Sequence, residues 1–255
     1  MNDTNFPSIE QYRHAIENLI RLDIPSQRYV GTIKVHGTNA RITVREDGTR
    51  TYGSRNQSGL TGGHYGFVEW AREQKIFALG PKIPYTIYGE WAGKGIQAGI
   101  EYPKTFFPFA VLQHEGEKWF GSECLLTSYG AYRLNDHEND NARAEWIPVC
   151  VFGRFSVELN QTDNEFTEKY LEELVSEIDE KCPVASMLGY GGHGEGIVFI
   201  PWLSLNPAHG FKVKGESHRT TGVKIGKSAP IEGLEEFLAT VCTEARMNQG
   251  LEWIP

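Results

Sequence analysis

The sequence predicts an α+β fold in which antiparallel sheets are flanked by helices. Two observations predict this fold class: strand-like runs alternate with helical apolar stripes along the chain, and a hairpin turn joins two strands without a crossover helix. The chain has 255 residues, of which 40% are hydrophobic and 23% charged. It is therefore large enough to bury a core without disulfides or structural metals.

The first predicted elements are a helix and a hairpin. A capping-box pattern begins at Ser8, and apolar residues at helical spacing extend the predicted helix over residues 9–22. Residues 40–45 alternate apolar and polar side chains, which predicts a half-buried strand. Asp47 and Gly48 then predict a tight turn into the second strand.

Later elements are predicted by the same two periodicities. They are a helix over 66–77, short strands over 84–91, 105–113 and 146–152, an acidic helix over 165–181 capped by Asn164, apolar strands over 196–202 and 211–215, and a helix over 232–246. Residues 134–143, rich in Asn and Asp, are predicted to be a surface loop. We therefore predict one principal domain over residues 1–215 and a short helical appendage over 216–255.

The composition argues against several classes of protein. Four cysteines, Cys124, Cys150, Cys182 and Cys242, form no CxxC pair, which predicts buried free thiols in a reducing compartment. The first residues lack the basic and apolar regions of a secretion signal, and no apolar run is long enough to span a membrane. A cytoplasmic protein without membrane partners is therefore expected.

Charge is segregated along the chain, although the net charge is −8. Residues 28–55 carry six Lys/Arg against two acids, and residues 212–227 carry five against one. Residues 136–180 carry thirteen acids against three bases. The two basic stretches would suit nucleic acid if the fold joins them into one face. Ordinary solvated charge explains the pattern equally well, so both interpretations stay open.

The hexamer KVHGTN, residues 34–39, places a lysine at the end of a strand-like run. Strand alternation turns Ile33 and Val35 to one side and Lys34 and His36 to the other, so Lys34 faces solvent or a cleft. Two interpretations follow. The segment is either a hairpin edge with a solvated lysine or the site of a nucleophile at the mouth of a nucleotide pocket.

Three later segments carry further candidates for such a pocket. In FKVKG, Lys212 and Lys214 share one strand face and repel each other unless an anion lies nearby, although two solvated lysines are the ordinary alternative. In GEGIVF, Glu195 precedes an apolar strand, either as a metal ligand or as the polar end of the strand. In YGEWAGKG, Glu90 ends a strand before a glycine-rich turn that lets the backbone approach a ligand.

Taken in chain order, six segments resemble the motif set of the covalent nucleotidyltransferases, which comprise RNA ligases, DNA ligases and mRNA capping enzymes. The segments are KVHGTN, SRNQ, YGEW, FFPFAVL, EGIVF and FKVKG, between about residues 28 and 215. DNA ligases and capping enzymes usually carry Asp where this chain has His36, and the form Lys-x-His-Gly-x-Asn is similar to the RNA ligase 2-like family, which has phage-encoded members. The resemblance implies a nucleotidyltransferase domain with the ATP-grasp-like ligase and capping fold.

The same resemblance implies an ATP-dependent RNA ligase that uses Mg²⁺ or Mn²⁺. Lys34 would attack the α-phosphate of ATP to form lysyl-AMP, AMP would pass to an RNA 5′-phosphate, and an RNA 3′-hydroxyl would then displace it. ATP and RNA with these two ends are the implied partners. The protein is expected to be a monomer, located in the host cytoplasm if a phage encodes it.

The resemblance also implies a role for each site residue. Lys212 and Lys214 would assist catalysis and hold the polyphosphate, and Glu195 would bind or orient the metal and its waters. The other nucleotide contacts would be Val35, His36 as the organiser of its loop, Asn39 and Arg55 on phosphate or ribose, Glu90 on the ribose, and Phe109 on adenine, with Phe107 as the other candidate.

Two departures from the family pattern leave alternatives open. The best-known members carry Glu where this chain has Ile33, and only 40 residues follow Gly215, whereas the phage nick-sealing enzyme of the family has a larger C-terminal domain. Both departures concern steps after adenylation, so they bear on the prediction of nick sealing and not on that of adenylation. One alternative keeps the covalent chemistry with another acceptor, as in GTP-dependent RNA capping or AMP transfer to another molecule. The other is a catalytically idle nucleotide- or RNA-binding module that retains the fold.

Overall fold

Ten strands in two five-stranded sheets organise the described residues, 4–74, 84–128 and 146–218, in the computed structural model. The strands are β1 (Glu10–Gln11), β2 (Ser26–Lys34), β3 (Thr38–Val44), β4 (Arg50–Ser54), β5 (Tyr85–Ala92), β6 (Thr105–Gln113), β7 (Lys118–Gly121), β8 (Arg154–Asn160), β9 (Gly196–Pro201) and β10 (Phe211–Lys214). Sheet A has the order β1-β10-β9-β2-β8, and sheet B has the order β4-β3-β5-β6-β7. Every pairing is antiparallel except that of β1 with β10.

Helices accompany both sheets. They are α1 (Tyr12–Arg21), α2 (Phe67–Glu73), α3 (Cys124–Ser128), α4 (Glu165–Glu180) and α5 (Pro183–Met187), with 3₁₀ helices at Val149–Phe152, Pro207–His209 and Glu216–His218. The predicted α+β class, with antiparallel sheets and flanking helices, is confirmed. All the described residues belong to one unit, residues 1–218.

Each sheet contributes to a separate hydrophobic core. In sheet A, Ile33 and Ile197 pack in one buried cluster with Leu19 of α1 and Val175 of α4. In sheet B, residues of β3, β5 and β6 form a second buried cluster with α2, in which Phe67 is fully buried. Burial of apolar side chains at about 25 cal/mol per Å² is the main stabilising contribution of both clusters. The opposite face of sheet A is thereby left for other contacts.

The chain crosses from one sheet to the other at KVHGTN. β2 ends at Lys34 in sheet A, and β3 begins at Thr38 in sheet B. A Cβ atom at Gly37 would lie 2.6 Å from the carbonyl oxygen of Trp91 and 2.7 Å from Cβ of Ala92, so only glycine fits this close approach. The hairpin interpretation of the segment is therefore wrong, because β2 and β3 do not pair.

The start of the first helix differs from the prediction. The helix begins at Tyr12 with Gln11 as its N-cap, and no side chain caps it, so the capping box at Ser8 does not form. Glu10 and Gln11 instead pair with Phe211 and Lys212 of β10. Sheet pairing therefore replaces the first helical turn.

Strand β3 is buried on both faces rather than half-buried. Arg41 is only 1% exposed, and its guanidinium donates to the carbonyl oxygen of Ser54 at 2.6 Å. Thr43 is also buried and shares a hydrogen bond of 2.8 Å with Thr86. Polar residues that alternate with apolar ones predict a solvent face, but here hydrogen bonds hold both side chains in the interior, although Arg41 Nε has no partner among the described residues.

Two further predictions are wrong in detail. Residues 146–152 contain the 3₁₀ helix Val149–Phe152 and a single bridge from Trp146 to Phe106, not a strand. Asn164 stands at the N-cap of α4, but its side chain makes no capping bond and instead accepts from the backbone N–H of Asn160 at 2.9 Å.

Several predictions are confirmed, and others concern residues outside the described ranges. The Asp47-Gly48 turn joins β3 to β4, and the strands near 84–91, 105–113, 196–202 and 211–215 are present. The loop over 134–143, the helix over 232–246 and Cys242 lie outside the described residues. The three described cysteines form no disulfide and are partly buried. Within the described residues no helix is long and apolar enough to cross a membrane.

Candidate active site

A cleft of about 500 Å³ lies on the face of sheet A opposite α1 and α4, with sheet B contributing to its wall. Lys34 of β2 and Lys214 of β10 flank Gly196 of β9 in one row of the sheet, and Thr32 and Lys212 flank Val198 in the next row. All ten residues predicted to contact nucleotide line this cleft. They are Lys34, Val35, His36, Asn39, Arg55, Glu90, Phe109, Glu195, Lys212 and Lys214.

The carboxylate of Glu195 is the centre of the charged network. Its Oε2 lies 2.6 Å from Lys34 Nζ, and its Oε1 lies 2.7 Å from Lys214 Nζ. His36 Nδ1 is 3.5 Å from Oε2. Burial by itself would raise the pKa of Glu195, but contacts with His36, Lys34 and Lys214 outweigh it and hold the pKa well below its usual range. Glu195 is therefore an ionised carboxylate inside the cleft, not merely the polar end of a strand.

Gly196 allows the two lysines to converge on one carboxylate. Its φ is +140°, a conformation that other residues rarely adopt. A Cβ atom there would overlap the carbonyl oxygen of Val213 and lie 2.9 Å from Cα of Lys214. With no side chain between Lys34 and Lys214, the Glu195 side chain can reach both.

Residues 6–9 hold Lys212 and Arg55 in place, although the sequence analysis did not assign this segment to the site. Lys212 Nζ donates to the carbonyl oxygen of Ile9 at 2.6 Å, and Arg55 donates to Ser8 Oγ at 3.4 Å. Burial, followed by the nearby charges of Lys214, Lys34 and Arg55, lowers the pKa of Lys212. The segment carries no nucleotide-binding motif, and the interpretation of its capping-box pattern as the start of a helix concealed its position in the cleft.

The same segment supplies an aromatic wall. The ring centroid of Phe6 lies 4.8 Å from that of Phe109, in an edge-to-face arrangement. Phe109 is the extra residue of a β-bulge, because Tyr88 pairs with Ala110 while Gly89 pairs with Pro108. The bulge directs Phe109 into the cleft.

Phe107 does not take part in the cleft. It is fully buried and packs against Tyr102 and Phe152 in the core. Of the two aromatic candidates, only Phe109 can contact a ligand.

Two polar groups from sheet B face each other across the β3–β5 pairing. Asn39 is paired with Glu90 in the strand register. Burial raises the pKa of Glu90 to about 7, although Lys34 opposes the shift. Among the described residues, the buried Oδ1 atom of Asn39 has no hydrogen-bond partner. An orphaned buried acceptor in a cleft is the kind of group that a ligand satisfies.

Gln97 was not predicted from the sequence. Its side chain donates to the carbonyl oxygen of Gly37 at 3.0 Å, and it lines the cleft. The glycine-rich turn after Glu90 was the only signal, and it indicated close backbone approach, not this side chain. Gln97 therefore ties that turn to the loop after Lys34.

No group of three His, Cys, Asp or Glu side chains that could hold a metal ion occurs within the described part of the chain. Glu195 and Glu90 are carboxylates that line the cleft and interact with the charge of Lys34. A metal in this cleft would therefore need phosphate oxygens as further ligands, which is how Mg²⁺ is usually held in nucleotide sites.

The fold is of the nucleotidyltransferase type found in RNA ligases. A mutant of Naegleria gruberi RNA ligase with ATP and Mn superposes with a TM-score of 0.55 at 16% identity, covering 84% of this chain and 57% of that chain. The values for a mutant with AMP and Mn are 0.54, 16%, 84% and 56%. The values for the ligase with pyrophosphate are 0.53, 14%, 84% and 57%. This chain thus spans little more than half the length of these ligases.

The sequence model of the RNA ligase family matches residues 27–202, more than half of the chain. The chain therefore belongs to the RNA ligase family, and the predicted family is confirmed at this level. The comparisons do not bear on a phage origin. A comparison with curated proteins gave no match.

Proposed function

We propose that the protein is an ATP-dependent RNA ligase that joins 5′-phosphate and 3′-hydroxyl RNA ends through lysyl-AMP and adenylated RNA. One observation carries the proposal: Lys34, Lys212 and Lys214 converge with Glu195 in one cleft of a chain from the RNA ligase family. Two of these lysines contact Glu195 and the third lies in the next row of the sheet, so the group has an excess of positive charge, which suits a polyphosphate.

Lys34 is the proposed nucleophile. Its neutral amine would attack the α-phosphorus of ATP, forming a P–N bond as the P–O bond to pyrophosphate breaks. The ammonium form must lose a proton to water first, because the ionised Glu195 is too weak a base to retain it. Lys212 and Lys214 would hold the departing pyrophosphate.

The nucleoside would lie against sheet B. Phe109 would stack on adenine, and Asn39 would use its free Oδ1 on the ribose or phosphate. Glu90 would bond the ribose, and a pKa of about 7 lets its carboxyl donate as well as accept near neutral pH. The remaining contacts would be Arg55 on phosphate, the backbone of Val35, and His36 as the residue that holds its loop against Glu195.

Glu195 would hold Mg²⁺ or Mn²⁺ together with the phosphate oxygens. Carboxylates suit both ions, and the structures of Naegleria gruberi RNA ligase with ATP and Mn support the assignment. When bound, the ion would supply charge neutralisation at the transferring phosphoryl group. We further propose that the protein is a cytoplasmic monomer whose nucleotidyltransferase domain is residues 1–215.

The first test measures the intact mass of the protein to detect the AMP adduct. The protein is cleared of bound AMP with pyrophosphate, incubated with ATP and Mg²⁺, and freed of nucleotide. We expect a gain of one AMP in the wild type and in the control Lys169→Ala, whose lysine lies on the exposed face of α4, but none in Lys34→Ala.

The second test supplies RNA with a 5′-phosphate and a 3′-hydroxyl and measures joining. An adduct without joining would indicate that AMP passes to another acceptor. An adduct with GTP alone would indicate capping. No adduct with either nucleotide would contradict the proposal and favour an idle binding module.

A further inference from the structure

We propose that Trp202, Leu203, Arg28 and Arg154, here called the Trp202 platform, stack the bases of single-stranded RNA next to the cleft. The proposal rests on the proposed function for the identity of the acceptor. It goes beyond that function by assigning a binding surface outside the nucleotide site.

Two apolar side chains of the platform stand in solvent. Trp202 is 45% exposed and Leu203 is 88% exposed, at adjacent positions of one turn. The guanidinium of Arg28 lies 5.4 Å from the Trp202 ring centroid, and that of Arg154 lies 5.9 Å from it. These cation–π contacts steady the ring, while nearly half of Trp202 stays open beside them.

The platform continues the face of sheet A that forms the cleft. Side chains at alternate positions of a strand share a face, so Arg28 points to the same side as Thr32 and Lys34. Trp202 donates its backbone N–H to the carbonyl oxygen of Arg28 at 2.9 Å. Arg28 and Lys34 are six positions apart along β2, a distance of about 20 Å at ~3.3 Å per residue.

The turn itself links the platform to the cleft. The backbone N–H of Leu205 donates to the carbonyl oxygen of Pro201 at 2.9 Å, which closes the turn around Trp202 and Leu203. Leu205, at the end of this turn, and Ile200, in the strand before it, both line the cleft. A strand of RNA that reaches Lys34 along this face therefore passes the platform.

Charge and area favour bases over phosphates or a protein. Arg154 is paired with Glu123 at 2.8 Å, and Glu158 lies opposite Arg28 in the β2–β8 register. The platform thus carries little net charge for a phosphate backbone. A protein partner would need an interface of about 1,000 Å² or more, whereas two exposed apolar side chains offer far less. An open indole ring suits base stacking, which tolerates any base.

The experiment measures binding of a short 3′-fluorescein-labelled single-stranded RNA with a 5′-phosphate, by anisotropy and without ATP. We expect Trp202→Ala to bind about 5- to 150-fold more weakly than the wild type, at an unchanged dependence on salt. Trp202→Phe should recover most of the affinity. Phe166→Ala, which removes an 86% exposed ring from α4, should bind like the wild type.

The outcomes separate this proposal from the proposed function. Equal binding by the wild type and Trp202→Ala would overturn the platform and leave the ligase proposal intact. If the wild type forms its AMP adduct but does not bind RNA, the platform proposal would be overturned. The result would also indicate that the acceptor of AMP is not RNA. If the alanine variant unfolds, as read by circular dichroism, Trp202→Leu replaces it: this variant keeps an apolar side chain, and undiminished binding would likewise overturn the proposal.

Discussion

Lys34 and Glu195 are 161 positions apart in the chain, yet Lys34 Nζ lies 2.6 Å from Glu195 Oε2. Sheet A produces this contact because β2 pairs with β9, which places Lys34 beside Gly196. Lys214 reaches the other carboxylate oxygen from β10. One anion thus holds together the ends of three strands and the residues proposed to do the chemistry.

Glu195→Gln should weaken both the fold and the proposed reaction. The substitution leaves Lys34 and Lys214 without their shared carboxylate, and we expect a loss of about 1–3 kcal/mol in the free energy of unfolding, moderated because both lysines are partly exposed. Adduct formation should slow about 10²-fold or more. Urea unfolding and the mass assay measure the two effects.

A matched control removes a carboxylate from a surface pair. Glu101 lies 2.8 Å from Lys94 in solvent, so Glu101→Gln should leave the urea unfolding midpoint close to that of the wild type and adduct formation unchanged. Equal stability losses for the two variants would contradict the central role of Glu195.

Gly196→Ala should disrupt the junction of β9 and β10. The added methyl group would meet the backbone of Val213 and Lys214, which cannot move without breaking the sheet, and φ is +140°. We expect a loss of at least about 3 kcal/mol from overpacking and backbone strain together. Gly191→Ala is the control, because nothing lies within 4 Å of its Cβ position. A wild-type unfolding midpoint for Gly196→Ala would refute the steric argument.

Phe109 and Phe107 should separate binding from stability. Phe109→Ala removes the ring that lines the cleft, and we expect ATP binding to weaken about 5- to 150-fold with a modest stability loss. Phe107→Ala empties a fully buried position and should cost about 3–5 kcal/mol. Calorimetric titration with ATP and urea unfolding measure the pair. Weak ATP binding by a well-folded Phe107 variant alone would reverse the assignment.

Glu90 should make stability depend on pH. Because burial raises its pKa to about 7 in the folded state, the folded protein binds a proton between pH 4.5 and 7 that the unfolded chain releases. This stabilisation is complete below pH 4.5 and is lost as the pH rises to 7. Relative to Glu90→Gln, the wild type should lose up to about 3 kcal/mol over that interval. Parallel stability curves for the two proteins would exclude the raised pKa.

Alternation along single strands was enough to predict where side chains point, but not what they meet. The pattern around Lys34 predicted a side chain turned away from the core, and Ile33 does lie in that core. The same rule failed at Arg41, which is buried among hydrogen-bond acceptors. It also failed to distinguish Phe107 from Phe109, because a β-bulge interrupts the period between them. Local periodicity contains no information on partners that come from distant strands.

The sequence by itself determined the fold class, the order of the motifs and ten of the residues that line the cleft. These depend on local patterns and on motif chemistry, both of which are written along the chain. Only the tertiary structure decided that KVHGTN crosses between two sheets, that Glu195 pairs with Lys34 and Lys214, and that Ile9 holds Lys212. The contacts of Glu195 with Lys34 and of Ile9 with Lys212 join residues 161 and 203 positions apart, and their geometry arises only from strand register and close packing.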